Sequence, residues 1–252
     1  MTDLVIIDRP ASHPGVLVIR MNRPDKKNAI TREMYGAMAL ALAEADADET
    51  IRAAVLFGVP GCFSSGNDLA DFMEIARNRE EGRNVIAFIH ELARFTKPLL
   101  SGVDGIAIGI GVTMNMHCDL TFATPRTVFR TPFTDLAVVP EAGSTVLGPQ
   151  IMGHQRAFAM LVNGLPFTAE EAREAGLIWK VVDESALEET VLAAAADLAR
   201  RPRNSLSLSR RLLKGDIDHL RSVIDKEMGH FLDQLQSEEV AGVYQAFFDK
   251  KK

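Results

Sequence analysis

A glycine-rich turn between an apolar strand and a helix is the feature that most constrains how this sequence can fold. The predicted strand covers residues 99–103, and Gly105, Gly109 and Gly111 follow it in the run V-D-G-I-A-I-G-I-G-V-T-M. A second apolar strand, residues 120–123, comes after the helix that this turn opens. Looser strand–strand–helix units recur through the first two-thirds of the chain, so the sequence predicts an α/β fold.

The composition is that of an ordinary globular protein and excludes several classes of function. The net charge of −6 argues against a nucleic-acid-binding surface, which needs clustered Lys and Arg. Two cysteines, Cys62 and Cys118, cannot build a disulfide framework and indicate a reducing compartment. The six histidines are scattered without the spacing of metal ligands. With no signal peptide and no apolar run long enough for a bilayer, we expect a cytoplasmic protein without a metal, membrane or nucleic-acid partner.

Apolar runs and capping residues predict the other elements. Further strands are expected at residues 4–7, 16–20, 53–57 and 178–182. Thr31 is a predicted helix cap, and Thr168 begins a Thr-Ala-Glu-Glu capping box. From residue 187 onward nearly the whole chain is predicted to be helical, with breaks at Pro202 and Gly215.

A second loop with free backbone amides is predicted at F-S-S-G-N-D-L, residues 63–69. It follows the strand at 53–57 and opens a helix, whose first N–H groups have no partner inside the helix. Each loop can also be explained without a ligand. Residues 63–69 could be a plain loop with a Ser or Asp helix cap, and the glycine-rich turn could serve only close helix–strand packing. The glycine spacing matches neither a dinucleotide-binding fingerprint nor a phosphate loop.

Glu141 is the candidate for proton transfer. It stands between Pro140 and Ala142-Gly143, just before a helix predicted to begin near Ser144. Burial at this point would desolvate the carboxyl group and raise its pKa. The alternative is a carboxylate at a helix N-terminus that interacts with the helix dipole, worth less than about 1 kcal/mol. Two loops of free amides together with one buried carboxylate indicate enolate chemistry.

Four segments give the chain a resemblance to the crotonase (enoyl-CoA hydratase/isomerase) superfamily over nearly its full length. They are N-R-P-D-K-K-N-A at residues 22–29, the loop at 63–69, the stretch 97–105, and A-R-E-A-G-L-I-W-K-V at 172–181. Each is loose alone, but their order and spacing are specific. The resemblance implies a crotonase-like α/β fold. Residues 1–195 would form a superhelix of repeated ββα units with an acyl-CoA site, and residues 196–252 a C-terminal α-helical segment for oligomerisation or as a lid.

Within the superfamily, the sequence is most similar to the Δ3,Δ2-enoyl-CoA isomerases of the peroxisomal type. The similarity lies in S-S-G-N-D-L, G-I-G-V-T and T-P-F-T-D-L-A-V-V-P-E-A-G-S. A hydratase of this fold carries two catalytic glutamates, and Thr113 and Phe133 stand at their positions. Neither residue can act as an acid or a base, so the hydratase pair is absent. Glu141 matches the single catalytic glutamate of the isomerases.

The resemblance also implies a role for the two loops. The backbone N–H groups of Asn67 and Ile110 would form an oxyanion hole for the thioester carbonyl. The residues implied to bind CoA or the acyl group are Lys26, Lys27, Ala29, Ser65, Gly66, Asp68, Leu69, Gly109, Phe133 and Leu136. For the two lysines the alternative is plain surface charge, and for Asp68 it is a helix cap. No cofactor is expected, since CoA is part of the substrate.

The predicted function is therefore a cofactor-independent enoyl-CoA isomerase of fatty acid metabolism. Other activities of the superfamily stay open, namely hydratase-like, ring-enoyl isomerase, dehalogenase and thioester hydrolase activity. A non-catalytic CoA-binding protein is the alternative from another class.

The C-terminal helices predict a homotrimer or a dimer of trimers, which the resemblance also implies. Their apolar positions exceed what a short appendage can bury alone, and they are Leu206, Leu213, Leu220, Phe231 and Leu235. The tail at residues 246–250 resembles the helix that packs over a CoA site in this superfamily.

Overall fold

The structure, a computed structural model, describes residues 3–249, with side-chain environments up to Val243. Its strands are β1 (Val5–Asp8), β2 (Val16–Met21), β3 (Ala53–Phe57), β4 (Cys62–Ser64), β5 (Leu99–Val103), β6 (Ile106–Ile108), β7 (Leu120–Ala123), β8 (Val128–Arg130), β9 (Phe167–Thr168) and β10 (Lys180–Val181). Its helices are α1 (Arg32–Ala47), α2 (Leu69–Arg77), α3 (Arg83–Arg94), α4 (Ile110–Thr113), α5 (Ser144–Leu161), α6 (Ala169–Ala175), α7 (Leu187–Ala199), α8 (Arg203–Lys214), α9 (Ile217–Leu235) and α10 (Glu238–Asp249).

The strands form two sheets that share the same repeating unit. The larger sheet has the order β1-β2-β3-β5-β7-β10, and all its neighbours are parallel except β1 and β2. The smaller has the order β4-β6-β8-β9, with only β9 antiparallel. Each successive strand pair, β3-β4, β5-β6 and β7-β8, gives one strand to each sheet before a helix follows. This arrangement confirms the predicted α/β fold of repeated strand–strand–helix units.

Strand β3 shows why its sequence is apolar at every position. Ala53, Val55 and Phe57 pack with α7 in one hydrophobic cluster, whereas Ala54 and Leu56 pack into the main core with α1 and α3. Successive side chains of a strand point to opposite faces, and here helices cover both faces. A central strand of this sheet therefore has no solvent-facing side.

Local signals in the sequence are confirmed where they predict helix ends. The side chain of Thr31 caps α1, and Thr168 forms the predicted capping box at α6. The helix breaks at Pro202 and Gly215 separate α7, α8 and α9. The strands of the smaller sheet were not predicted, because two or three residues are too few for a recognisable alternation.

The C-terminal helices differ in how they contact the rest of the chain. Leu220, Phe231 and Leu235 of α9 are buried in the main core, so for these three the argument that a partner must cover them is wrong. On α8, by contrast, Leu213 is 89% exposed. The side chains of the tail at 246–250 lie outside the described ones. Among helices of the described part, none is both long and apolar enough to cross a membrane.

Candidate active site

The two predicted loops leave neighbouring strands of the smaller sheet. Strands β4 and β6 run parallel, with Ser64 opposite Ala107. Residues 65–68 follow β4, and Gly109 follows β6. Because the carboxyl ends of parallel strands meet at one edge of a sheet, both loops emerge side by side.

In the first loop, hydrogen bonds of the neighbouring residues leave the backbone N–H of Asn67 free. Ser65, Gly66 and Asp68 donate their N–H groups to oxygens of the chain at distances between 2.9 and 3.1 Å. Within the described residues, the Asn67 N–H has no acceptor. Its side chain is fixed separately, because the Tyr35 hydroxyl donates to Asn67 Oδ1 at 2.5 Å. The amide can therefore donate to a ligand without losing an internal hydrogen bond.

In the second loop, Gly109 makes the turn that frees the N–H of Ile110. Its φ of 56° and ψ of −120° lie in a backbone region that residues other than glycine rarely adopt. Its carbonyl accepts from Val112 and Thr113 at 2.8 and 3.1 Å, which starts α4. The N–H of Ile110, the first residue of α4, has no acceptor among the described residues. Two free amides thus lie on adjacent loops, an arrangement that can bind an oxyanion.

Residues of both loops line a cavity of about 510 Å³. The predicted site residues that line it are Lys26, Ala29, Ser65, Gly66, Asn67, Asp68, Leu69, Gly109, Phe133 and Leu136. Val138 lines it as well, and so do Phe72 and Phe231, which were not predicted. The cavity therefore combines a cationic residue, Lys26, with a largely apolar wall.

Three predicted residues do not line the cavity. The Lys27 side chain is exposed to solvent and does not reach the cavity lining. Its backbone carbonyl accepts the N–H of Ser65 at 2.9 Å. The Ile110 side chain is buried in the core, so only its N–H concerns the site. Glu141 is also buried, three residues beyond Val138 of the cavity wall.

Glu141 is held in a protein environment that strengthens it as a base. It is 3% exposed, and Thr113 Oγ1 donates to its Oε1 at 2.6 Å. Its Oε2 has no hydrogen-bond partner among the described residues. Burial raises the pKa of Glu141 to about 8, against the hydrogen bond from Thr113 and with a contribution from the charge of Glu227. A carboxyl group with this pKa is matched to proton transfer near neutral pH.

The turn that carries Glu141 has a strained backbone at Ala142, and side chains of two other elements hold it by hydrogen bonds. Ala142 and Gly143 both have positive φ, 59° and 72°. His117 Nε2 lies 2.7 Å from the carbonyl of Ala142, which can only accept, so this nitrogen carries the proton. Burial lowers the pKa of His117 to about 3 and keeps the ring neutral. On the other side, Glu227 of α9 accepts the N–H of Gly143 at 2.6 Å.

Two other carboxylates near the loops, Asp68 and Asp135, are already engaged in ion pairs. Asp68 caps α2 and pairs with Arg23 at 2.6 Å. Burial of Asp68 opposes ionisation, but the bonds from Arg23 and the helix amides hold its pKa below the usual value. Asp135 pairs with Arg130 at 2.9 Å. Glu141 is therefore the carboxyl group that combines burial, a raised pKa and an unbonded oxygen.

Four residues around the site were not predicted in their structural roles: Thr113, Tyr35, His117 and Glu227. Thr113 was singled out only as the residue at a glutamate position, although a hydroxyl there can still donate to a carboxylate. The other three contact partners that lie 25 or more residues away along the chain, so no local pattern points to them.

The fold is that of the crotonase superfamily. A crystal structure of an enoyl-CoA hydratase/isomerase from Pseudoalteromonas atlantica T6c matches with a TM-score of 0.92 and 34% identity, over 98% of each chain. This match confirms the predicted crotonase-like architecture. The chain belongs to the enoyl-CoA hydratase/isomerase family, whose model matches residues 11–252.

Two of the curated relatives are enoyl-CoA delta isomerases. The chain is 37% identical to enoyl-CoA delta isomerase 2 of Rattus norvegicus, over 95% of this chain and 63% of the relative. It is 35% identical to the peroxisomal enoyl-CoA delta isomerase 3 of Mus musculus, over 95% of this chain and 77% of that protein. The chain thus spans less than two-thirds of the length of the rat relative.

Proposed function

We propose that this protein is a Δ3,Δ2-enoyl-CoA isomerase that moves a C3=C4 double bond of an acyl-CoA thioester to C2=C3. The observation that carries the proposal is a single buried carboxyl group with a raised pKa, Glu141, hydrogen-bonded to Thr113 of the helix that begins with the free amide of Ile110. The positions of the two hydratase glutamates hold Thr113 and Phe133. A hydratase must position and activate water, and the carboxylate of Asp68 in the cavity lining is already paired with Arg23.

The amides of Asn67 and Ile110 would bind the thioester oxygen. As a proton leaves C2, negative charge develops on this oxygen and both hydrogen bonds strengthen. The interaction is therefore stronger in the transition state than in the ground state, which is what accelerates a reaction. Loss of one such donor typically costs about 3–4 kcal/mol.

Glu141 would move the proton. In this proposal its unbonded Oε2 takes the proton from C2, and the electron pair of the C–H bond forms the enolate. The carboxyl then returns the proton to C4 while the double bond forms between C2 and C3. Thr113 continues to hold Oε1 throughout, and Phe133, Leu136 and Val138 keep the acyl chain away from water.

Lys26 at the cavity rim is the residue we assign to the phosphates of CoA, and no cofactor takes part.

The free cysteines, Cys62 and Cys118, suit a reducing compartment, and we propose the cytoplasm.

A homotrimer is the proposed assembly, and two separate apolar patches support it. Leu212 and Leu213 of α8 are 81% and 89% exposed, and Phe158 and Leu165 near the end of α5 are also exposed. Contacts between two different patches on successive copies can close into a ring. Light scattering at micromolar concentration should give a trimeric or hexameric mass, and a monomeric mass would contradict this assembly.

The test of the proposed function is an assay of purified protein against 3-enoyl-CoA and 2-enoyl-CoA esters of several chain lengths. Conjugation and hydration are followed separately, with Glu141→Gln as the control variant. Fast conjugation that the variant loses supports the proposal. Dominant hydration would indicate a hydratase-like enzyme, and release of free CoA a thioester hydrolase. Tight binding of CoA esters without turnover would indicate a non-catalytic binding protein. Aryl-halide and ring-enoyl thioesters are assayed in parallel, and turnover of only these would indicate the corresponding superfamily activity.

A further inference from the structure

A second buried carboxylate, Glu227, reaches the catalytic turn from the C-terminal helices. It lies on α9, 86 positions beyond Glu141 in the sequence, and is 5% exposed. Its Oε2 accepts the N–H of Gly143 at 2.6 Å, and its Oε1 accepts the N–H of Thr145 at 3.0 Å and the Thr145 hydroxyl. Buried carboxylates are rare unless their hydrogen bonds are satisfied, and here all three donors come from the residues that follow Glu141.

These contacts restrain a turn that would not keep its shape alone. Ala142 has a Cβ atom and a φ of 59°. This conformation costs energy and persists only where neighbouring groups hold it. Helix α9 packs directly on the next residue, since a Cβ atom at Gly143 would lie 2.7 Å from Leu220 Cδ1. His117 holds the carbonyl of Ala142 and Glu227 holds the N–H of Gly143, so the turn is fixed from two elements.

The charge of Glu227 also acts on Glu141. Burial raises the pKa of Glu227, while the three donors favour its ionised form. Its negative charge in turn contributes to the raised pKa of Glu141. From α1, Tyr35 faces Glu141 as a protonated hydroxyl, because burial and the charge of Glu141 raise its pKa well above the usual value.

Of the charged groups around the turn, Glu227 is the one whose charge contributes to the raised pKa of Glu141. Lys214 donates to the carbonyl of His117 and adds to the lowering of that ring's pKa. On α9 itself, Asp225 pairs with His90 of α3 at 2.8 Å, and Asp233 pairs outward with an arginine.

We propose that Glu227 is a positioning residue for Glu141, holding the catalytic turn in its left-handed conformation and setting the electrostatic field at the base. The inference rests on the proposed function, because it assigns Glu227 a role through Glu141. It makes α9 a part of the catalytic apparatus, in addition to any role in assembly.

The experiment compares Glu227→Gln with the wild-type enzyme over a range of pH. Glutamine keeps the size but removes the charge, and its NH2 group must face either the N–H of Gly143 or the donors of Thr145. We expect kcat to fall by about 10- to 100-fold, as for a small misplacement of a catalytic group. KM should change little, since Glu227 does not line the cavity. The acid limb of kcat/KM should move to lower pH, because a like charge is gone.

Asp225→Asn is the matched control, because it removes a carboxylate from the same helix without touching the turn. It should leave both kcat and the acid limb unchanged. Thr145→Val is the second variant, which removes one hydroxyl donor to Glu227 and tests the proposal even if Glu227→Gln does not fold. It should shift the limb in the same direction by a smaller amount.

Two outcomes would overturn the inference: an unchanged kcat and limb in folded Glu227→Gln, or a lower kcat with an unmoved limb, as a loss of packing alone would give. The Glu141→Gln background separates this inference from the proposed function. There, Glu227→Gln should have no further effect on residual turnover. If Glu141→Gln itself keeps its activity, the proposed function fails. If it is inactive while Glu227→Gln behaves as wild type, only the inference about Glu227 fails.

Discussion

Replacing the proposed base, Glu141→Gln, should abolish turnover and at the same time stabilise the fold above mildly acidic pH. The pKa of Glu141 is about 8 in the folded protein, compared with the ordinary value of 4.5. Between these values the folded protein binds a proton that the unfolded chain releases. Stability therefore falls as pH rises through this window. Glutamine keeps the acceptor for the Thr113 hydroxyl but cannot ionise.

The size of the effect follows from the width of the window. Each pH unit within it is worth about 1.4 kcal/mol. Between pH 5 and pH 7.5 the wild-type protein should lose about 3 kcal/mol of unfolding free energy that Glu141→Gln keeps. The pKa of Glu227 is also raised, but that group is present in both proteins and does not enter the difference.

The measurement is urea unfolding of both proteins at pH 5.0 and 7.5, at one protein concentration because assembly would shift apparent stability. Turnover and affinity for a product analogue are measured on the same samples. The amides of Asn67 and Ile110 remain, so affinity should change little. A stability difference that is the same at both pH values would refute the reasoning about burial. More than about a tenth of wild-type turnover would exclude Glu141 as the essential base.

Three further predictions concern the cavity and the base. Thr113→Val removes a hydrogen bond that lowers the pKa of Glu141, so the acid limb of kcat/KM should move to higher pH; a pH–rate profile that does not move would contradict this. Hydration of crotonyl-CoA should be negligible, and turnover comparable to that of an ordinary hydratase would show that the subclass is wrong. Phe231 packs edge-to-face on Phe72 in the cavity wall, with ring centroids 5.4 Å apart. Phe231→Ala should therefore raise kcat/KM for longer acyl chains relative to short ones, and an unchanged chain-length profile would argue against this wall as the limit.

The sequence predicted the central strands closely and the smaller sheet poorly. Strands β3, β5 and β7 have the predicted bounds, because they are largely buried and mostly apolar. Their two polar residues, Ser101 and Thr121, hydrogen-bond to each other. Strands β4, β6 and β8 have three residues each, and their pairing is decided by contacts between distant parts of the chain. A short strand of this kind carries no period that a sequence can display.

The same contrast applies to the site. Both amide loops and Glu141 carry local patterns, a glycine spacing or an isolated carboxylate beside a turn, so the sequence could indicate them. The groups that orient them carry no such pattern. Tyr35 contacts Asn67 across 32 positions, and Glu227 contacts Gly143 across 84. Such contacts are made by the tertiary fold and can be found only once the helices are in place.

The pairing of β4 with β6 has a consequence for how this protein could change over time. The two free amides follow strands that are hydrogen-bonded neighbours, with Ser64 opposite Ala107. The strands from which they emerge lie about 4.8 Å apart, a spacing that the main chain sets and not any side chain. In the proposed mechanism the groups that bind the thioester oxygen belong to the main chain, which few point mutations can delete. If that mechanism holds, substitutions in the cavity wall would change the acyl group that is accepted without removing the two amides that stabilise the enolate.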